Sequence, residues 1–278
     1  MNSAVFILSY GRPNRMYTYD TLRKQGYTGK IFVICSDDDK SLCEYKNKFG
    51  EKVIVFNKRE VLSSFDIGDN FEDWRVVVFA RNICFEVAKN LGLSHFIEMD
   101  DDYVDFVYRY EMNGNLKSKH LQLDKVFDVY FKFLEDSNAM CVALAQAGDF
   151  IGGLNSTTFK KGMLRKLMNV YFCDVKKPFK FYGRLNEDTT TYAHLGRQGV
   201  LFLTPMQFMI VQKETQSNPG GLSDIYREKG TYFKTFYSIM FEPSCVKIQS
   251  MGDSHARIHH KVIGNFAYPK ILSESIKK

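Results

Sequence analysis

The first hundred residues alternate between short apolar runs and longer stretches with helical spacing. Residues 4–8, 31–35, 53–56 and 95–99 are continuous apolar runs of strand length. Between them, residues 14–25 read as a helix closed by Gly26, and residues 41–49 as one stopped by Gly50. Residues 74–91 form a longer helical pattern, with Val77, Ala80, Cys84, Val87 and Leu91 on one face and Gly92 at its end. Strands and helices in this alternation predict an α/β fold with a mostly parallel central sheet flanked by helices.

The pattern changes after residue 102. Asn113-Gly114 is a hairpin turn between two polar-apolar stretches. Residues 123–134 read as a helix and 140–145 as a strand, and 148–155 is a Gly-rich loop. Asn186 is placed to cap a helix running toward Gly196, with acids in its first turn. Residues 200–203 and 207–211 read as strands around Pro205, 217–221 as a loop, and 254–262 as a further strand. No linker interrupts the chain, so it reads as one domain over 1–278 with an elaborated second half.

Composition narrows the class. With 278 residues, 45% of them hydrophobic, the chain can bury a sizeable core. No apolar run approaches the roughly 20 residues of a membrane span, and the N-terminus lacks the basic start of a signal peptide. The six cysteines are dispersed without a CxxC pair, which predicts buried thiols in a reducing, cytoplasmic setting. A net charge of +6 permits an anionic partner.

In open α/β sheets ligands bind at the carboxyl ends of the strands. Three such ends here are polar: Ser9 to Pro13, Ser36 to Asp39, and Asp100 to Asp102. Aspartate is also a common turn residue, so "SDDDK" by itself reads equally as a solvated turn. "EMDDD" differs. Three adjacent carboxylates repel unless a cation sits among them, and oxygen ligands suit Mg²⁺ or Mn²⁺. A metal-bound diphosphate is what a nucleotide-sugar leaving group requires.

"FILSYGRPN", "VICSDDD", "ARN" and "FIEMDDD", in this order and spacing, resemble the glycosyltransferases of the GT-A fold. The resemblance implies a nucleotide-sugar donor, a UDP-sugar favoured, bound by residues 1–102, with 103–278 as the acceptor half. It implies that Ser9, Tyr10, Gly11, Arg12 and Asp37 hold the nucleoside and that Arg81 approaches the diphosphate and sugar. Asp100, Asp101 and Asp102 become the metal and ribose site, with Asp100 and Asp102 as Mn²⁺ or Mg²⁺ ligands. "LNEDTTTYAH" is similar to the family's ED element, making Asp188 the candidate base with Glu187 beside it, in an inverting displacement. First-turn helix acids are the plain alternative for this pair. A late histidine often completes the metal site in such enzymes. His255, His259 and His260 lie in the right part of the chain, and His255 is the candidate. More narrowly, the whole chain resembles the TET-associated glycosyltransferases of bacteriophages. That resemblance implies hydroxymethylated DNA pyrimidines as acceptor, in the host cytoplasm if the chain is phage-encoded.

One segment fits a DNA partner. Residues 159–184 hold eight Lys or Arg against one Asp, a net of +7, with aromatics interleaved. Clustered cations track phosphates and aromatic faces stack on bases. Lys160, Lys161, Arg165, Lys176, Lys177, Lys180 and Arg184 are its candidate contacts, and an amphipathic helix over 158–168 with a solvated basic face is the alternative. A transferase acting on a surface glycan and a non-catalytic nucleic-acid-binding protein remain the competing functions. No residue reads the identity of the sugar or the oligomeric state.

Overall fold

The apolar runs of the first hundred residues become β1 (Ser3–Leu8), β2 (Lys30–Ser36), β3 (Val53–Phe56) and β4 (His95–Asp100). They pair in the order β3-β2-β1-β4, all parallel. The computed structural model describes residues 1–160, 162–164, 166–213, 222–230, 232–251, 257–272 and 274. Helices α1 (Tyr17–Lys24) and α2 (Leu42–Phe49) cover one face. The short α3 (Lys58–Leu62) and α4 (Val78–Asn90) lie on the other, where Val78, Phe79, Cys84, Phe85, Val87 and Ala88 are buried. Both longer helices start later than their apolar spacing implied. Residues 13–16 and 74–77 stay out of helix, and Val76 and Val77 line a cleft at the strand ends.

The second half continues the same sheet. The hairpin β5 (Tyr103–Met112) and β6 (Asn115–Lys119) turns at Asn113 and Gly114, both at positive φ, as an Asn-Gly turn requires. Then come α5 (Leu123–Ser137), β7 (Cys141–Gln146), the one-turn α6 (Thr157–Lys160), β8 (Asn169–Asp174) and α7 (Glu187–Arg197). β9 (Phe202–Leu203), β10 (Phe208–Gln212), α8 (Leu222–Lys229), α9 (Phe233–Phe241), the ribbon β11 (Val246–Met251) and β12 (Arg257–Val262), and α10 (Gly264–Ala267) complete the described elements. The full order is β3-β2-β1-β4-β8-β7-β10-β5-β6, with β9 on β7. β8 runs antiparallel to both β4 and β7, so its first residue lies at the same edge as the last residues of its neighbours.

β8 overturns the reading of the basic segment. Val170, Tyr171, Phe172 and Cys173 are almost wholly buried, and so are Phe179 and Phe181. These aromatics fill the core on both faces of the sheet and are not available to stack on bases. Fully burying one such ring stabilises the fold by roughly 1.5–3 kcal/mol, which outweighs any use as an exposed platform. Among the described residues of 158–168, α6 ends at Lys160, Gly162–Leu164 is a 3-10 turn and 166–168 lie outside helix.

Candidate active site

A cleft of about 300 Å³ opens where the strand ends meet the start of α7. One wall is the loop after β1. Its shape comes from buried hydrogen bonds: Ser9 Oγ donates to Asp101 Oδ2 at 2.6 Å, and the Arg12 guanidinium reaches Asp101 Oδ1 at 3.2 Å. The Gly11 N–H donates to Asp39 Oδ2 at 2.7 Å, with φ +69° that glycine tolerates without strain, and the Arg12 N–H donates to the Tyr45 hydroxyl. Tyr10, Ser36, Phe56 and Lys58 extend this wall, with the Lys58 ammonium 4.5 Å from the centre of the Tyr10 ring and ion-paired to Asp38.

The floor is an ion cluster around Arg81, itself buried. Its Nε donates to Glu187 at 2.8 Å, one terminal nitrogen to Glu98 at 2.7 Å, and the other to Asp100 at 3.1 Å. Tyr171 lies under the guanidinium, 5.0 Å from its carbon. Asn82, the next residue, takes both backbone groups of Phe181 through its amide and so locks the chain leading into α7. "ARN" is therefore two clamps, Arg81 on the acids of the cleft and Asn82 on the backbone of Phe181. Burial pushes the Glu98 carboxyl up to about 7 despite Arg81, and its Oε2 has no hydrogen-bond partner among the described residues. Glu187 is also raised by burial, against the pull of Arg81.

All three acids of the triplet line the cleft. Asp101 is 3% exposed and both its oxygens are engaged by Ser9 and Arg12, so it also braces the loop after β1. Burial, then the charges of Asp100 and Asp101, push the Asp102 carboxyl up to about 7. Glu98, Asp100 and Glu187 gather around the buried Arg81 guanidinium, and Arg12, Lys58, Arg75 and Lys234 line the same cleft as the acids. Carboxylate oxygens suit a divalent cation, which Asp100 and Asp102 would hold. No cluster of three or more acidic, His or Cys ligands is assembled among the described residues.

Other candidates fall differently. Asp37 is exposed and outside the cleft wall, where Ser36 stands instead. Glu187 and Asp188 both line the cleft; Glu187 is pinned to Arg81, and Asp188 accepts the Thr189 N–H. Arg81 is saturated by three carboxylates, so it arranges acids and is not a free phosphate contact. His255 lies outside the described residues, as do Lys161 and Arg165. His260 is buried on β12. Its Nε2 lies 2.7 Å from Lys166 Nζ and its Nδ1 3.1 Å from the Asn186 amide. Burial and Lys166 push its pKa down, so it is a neutral brace for the start of α7. His259 sits beside it, its Nδ1 2.9 Å from the His260 carbonyl.

Of the proposed DNA contacts, Arg184 is wrong. It is 2% exposed and bound to Asp69 through Nε and a terminal nitrogen. Lys176 and Lys177 follow the end of β8 paired with His95, the far edge of the sheet, about 17 Å along β4 from Asp100. Lys177 bonds Asn138 and Lys180 bonds Ser64, while Lys160 is exposed and reaches Asn155. Sequence reasoning missed Gln146, Asn169 and Gln212, which line the cleft opposite the first loop. Lone amides at the ends of unrelated strands leave no signal until the sheet aligns them.

The sequence profile of the TET-Associated Glycosyltransferase family matches residues 3–221, most of the chain. The chain belongs to this family. No curated protein matches the sequence. Among solved structures, this TET-associated glycosyltransferase is similar to a mannosyltransferase from Pyrobaculum calidifontis in complex with GDP-Man and Mn²⁺ (TM-score 0.49, 10% identity), covering 86% of this chain and 64% of that one. It is also similar to glucosyl-3-phosphoglycerate synthase from Mycobacterium tuberculosis in complex with Mg²⁺ and UDP (TM-score 0.46, 10% identity), covering 94% and 87%. S. aureus TarS 1-349 gives a TM-score of 0.44 at 10% identity, over 86% of this chain and 66% of that one. The chain is thus a member of a glycosyltransferase family with an α/β fold, and no helix among its described residues is long and apolar enough to cross a membrane.

Proposed function

We propose that this glycosyltransferase moves a sugar from a nucleotide-sugar to the hydroxyl of a hydroxymethylated pyrimidine in DNA. The observation that carries the reading is one cleft with Asp100 and Asp102 on its floor and Asp188 facing the same space. The neighbours with GDP-Man and Mn²⁺ or with Mg²⁺ and UDP support the donor, and the family name supports the acceptor.

Ser9 to Arg12, Ser36 and Phe56 wall the nucleoside end. Asp100 and Asp102 would hold the Mn²⁺ or Mg²⁺, whose charge would offset that of the departing diphosphate. Asp188 accepts the proton of the hydroxymethyl group. The freed oxygen attacks the anomeric carbon while the bond to the diphosphate breaks, a single displacement that inverts the centre. Glu187, through Arg81, fixes where Asp188 sits. The target base must leave the stack to enter the cleft. The exposed cations Lys117 and Lys119 of the β5–β6 hairpin, whose register sets them opposite Tyr110 and Tyr108, are the surface we assign to the strand.

The test is incubation with Mn²⁺, a panel of nucleotide sugars and hydroxymethylated DNA, followed by nucleoside mass measurement. A gain of one sugar residue on the hydroxymethyl nucleoside supports the reading. Donor cleavage across the panel with unmodified DNA would sink the acceptor assignment.

A further inference from the structure

The three amides opposite the nucleoside wall form a directional chain. It begins at the Asp149 backbone N–H, which can only donate, and which is accepted by the Gln146 side chain through its carbonyl oxygen. Gln146 Nε2 must then donate, and its partner is Asn169 Oδ1. Asn169 Nδ2 donates in turn to Gln212 Oε1 at 3.1 Å and to the Tyr103 hydroxyl oxygen at 3.2 Å. The second contact fixes the orientation independently, because the Tyr103 O–H is directed at the Asp100 carboxylate, 3.4 Å away, and its oxygen is left to accept. Both ends of Asn169 are thereby committed, and a flip of its amide would break bonds on each side.

The consequence falls on the last member. Gln212 has its carbonyl oxygen occupied, so the group left for the cleft is its NH₂, a pure donor. Among the described residues no acceptor takes it. Gln212 sits at the end of β10, across from Tyr103 at the start of β5, and the neighbouring Lys213 N–H bonds the Asp102 carbonyl. The donor group therefore stands beside the acidic triplet, on the acceptor side of the cleft.

The position of Asn169 is itself set by a backbone device. Val170 has φ +53° and is skipped in the pairing of β8 with β7, where the register shifts between Ala143 and Leu144. A bulge of this kind re-aims the adjoining side chain, here Asn169, toward the amides of β7 and β10.

We infer that the Gln212 side-chain amide donates a hydrogen bond to a carbonyl oxygen or ring nitrogen of the acceptor pyrimidine, with Gln146 and Asn169 holding its polarity. This deepens the acceptor reading above and rests on it. A half-buried amide held in one orientation discriminates, since a base presenting an N–H at that point leaves two donors facing each other.

The test uses full-length Gln212→Glu, which replaces the donor by an acceptor of the same shape, and Asn169→Asp. The second variant leaves Gln212 intact but gives it an acceptor neighbour, so its amide turns and presents oxygen to the cleft. Each is assayed for transfer to hydroxymethylated DNA and for acceptor-free donor hydrolysis, with melting temperature as the folding control. The expected result is a DNA KM raised about tenfold or more in both, a larger factor than any change in the donor KM of hydrolysis. A rise in donor KM with unchanged DNA KM assigns Nε2 to the sugar and overturns the base contact. No change in either overturns the chain as a reading device. If wild type hydrolyses donor yet modifies no DNA, the acceptor reading itself falls and this contact with it, an outcome distinct from failure of Gln212 alone.

Discussion

Asp188 and Glu187 are adjacent in sequence and differ in what surrounds them. Both line the cleft, but Glu187 is buried and held by Arg81, while Asp188 makes no bond to that guanidinium. Asp188→Asn should therefore lower kcat by about 10²–10⁴-fold with donor binding kept, the usual worth of a positioned base. Glu187→Gln should weaken folding as well as rate, because it breaks a buried ion pair. Equal loss of kcat with unchanged melting temperature in the two variants would contradict this division. Glu98 supplies a pH signature. Its folded pKa is raised from 4.5 to about 7 by burial, so the stability it contributes is complete below 4.5 and is lost as pH rises through about 7. The loss is on the order of 3 kcal/mol. In EDTA, the melting temperature of Glu98→Gln should gain on wild type between pH 5 and pH 8. A difference between the two proteins that stays constant over that range would exclude the mechanism.

At the scale of elements, the site depends on loops tied to one another across long sequence separations. Asn82 on α4 binds both backbone groups of Phe181, and Arg184 binds Asp69 and the carbonyls of Phe71 and Asp73. These ties set the angle at which α7 delivers Asp188. Asn82→Ala leaves a buried N–H and C=O unpaired and should cost about 2–4 kcal/mol. Its kcat should fall although Asn82 touches no substrate. Calorimetry and steady-state kinetics on the same preparation check both, and an unchanged melting temperature would show that the clamp carries no weight. Much of this level was legible in advance. The four parallel strands, the Asn-Gly hairpin and the start of α7 followed from apolar runs and turn residues. β8 did not, because residues 169–174 sit inside a stretch whose charge count pointed outward. The lysines of that stretch flank a strand whose own residues, Val170 to Cys173, are all buried.

Across the whole molecule, the cleft gathers acids and cations together, Arg12, Lys58, Arg75 and Lys234 among them, while Lys117 and Lys119 are exposed on the β5–β6 hairpin. Mn²⁺ with a nucleoside diphosphate should raise the melting temperature, by about 2.7 kcal/mol of stability at one hundred times the Kd. Asp102→Ala should abolish that rise, and a rise that persists would place the metal elsewhere. Charge reversal at Lys117 and Lys119 together should weaken DNA binding and reduce the slope of log affinity against log salt by about 2, read by anisotropy titrations at several salt concentrations. An unchanged slope would remove the hairpin from the strand-binding surface. The sequence by itself determined the fold class, the family and the identity of the acidic triplet, because apolar periodicity and contiguous motifs are local properties of the chain. Only the tertiary structure decided which acid of each cluster is free. Asp101 and Glu187 are consumed by partners 92 and 106 residues away, and Gln212 acquires its polarity through amides on two other strands. Hydrogen-bond saturation depends on packing, and packing brings together residues that the chain keeps far apart.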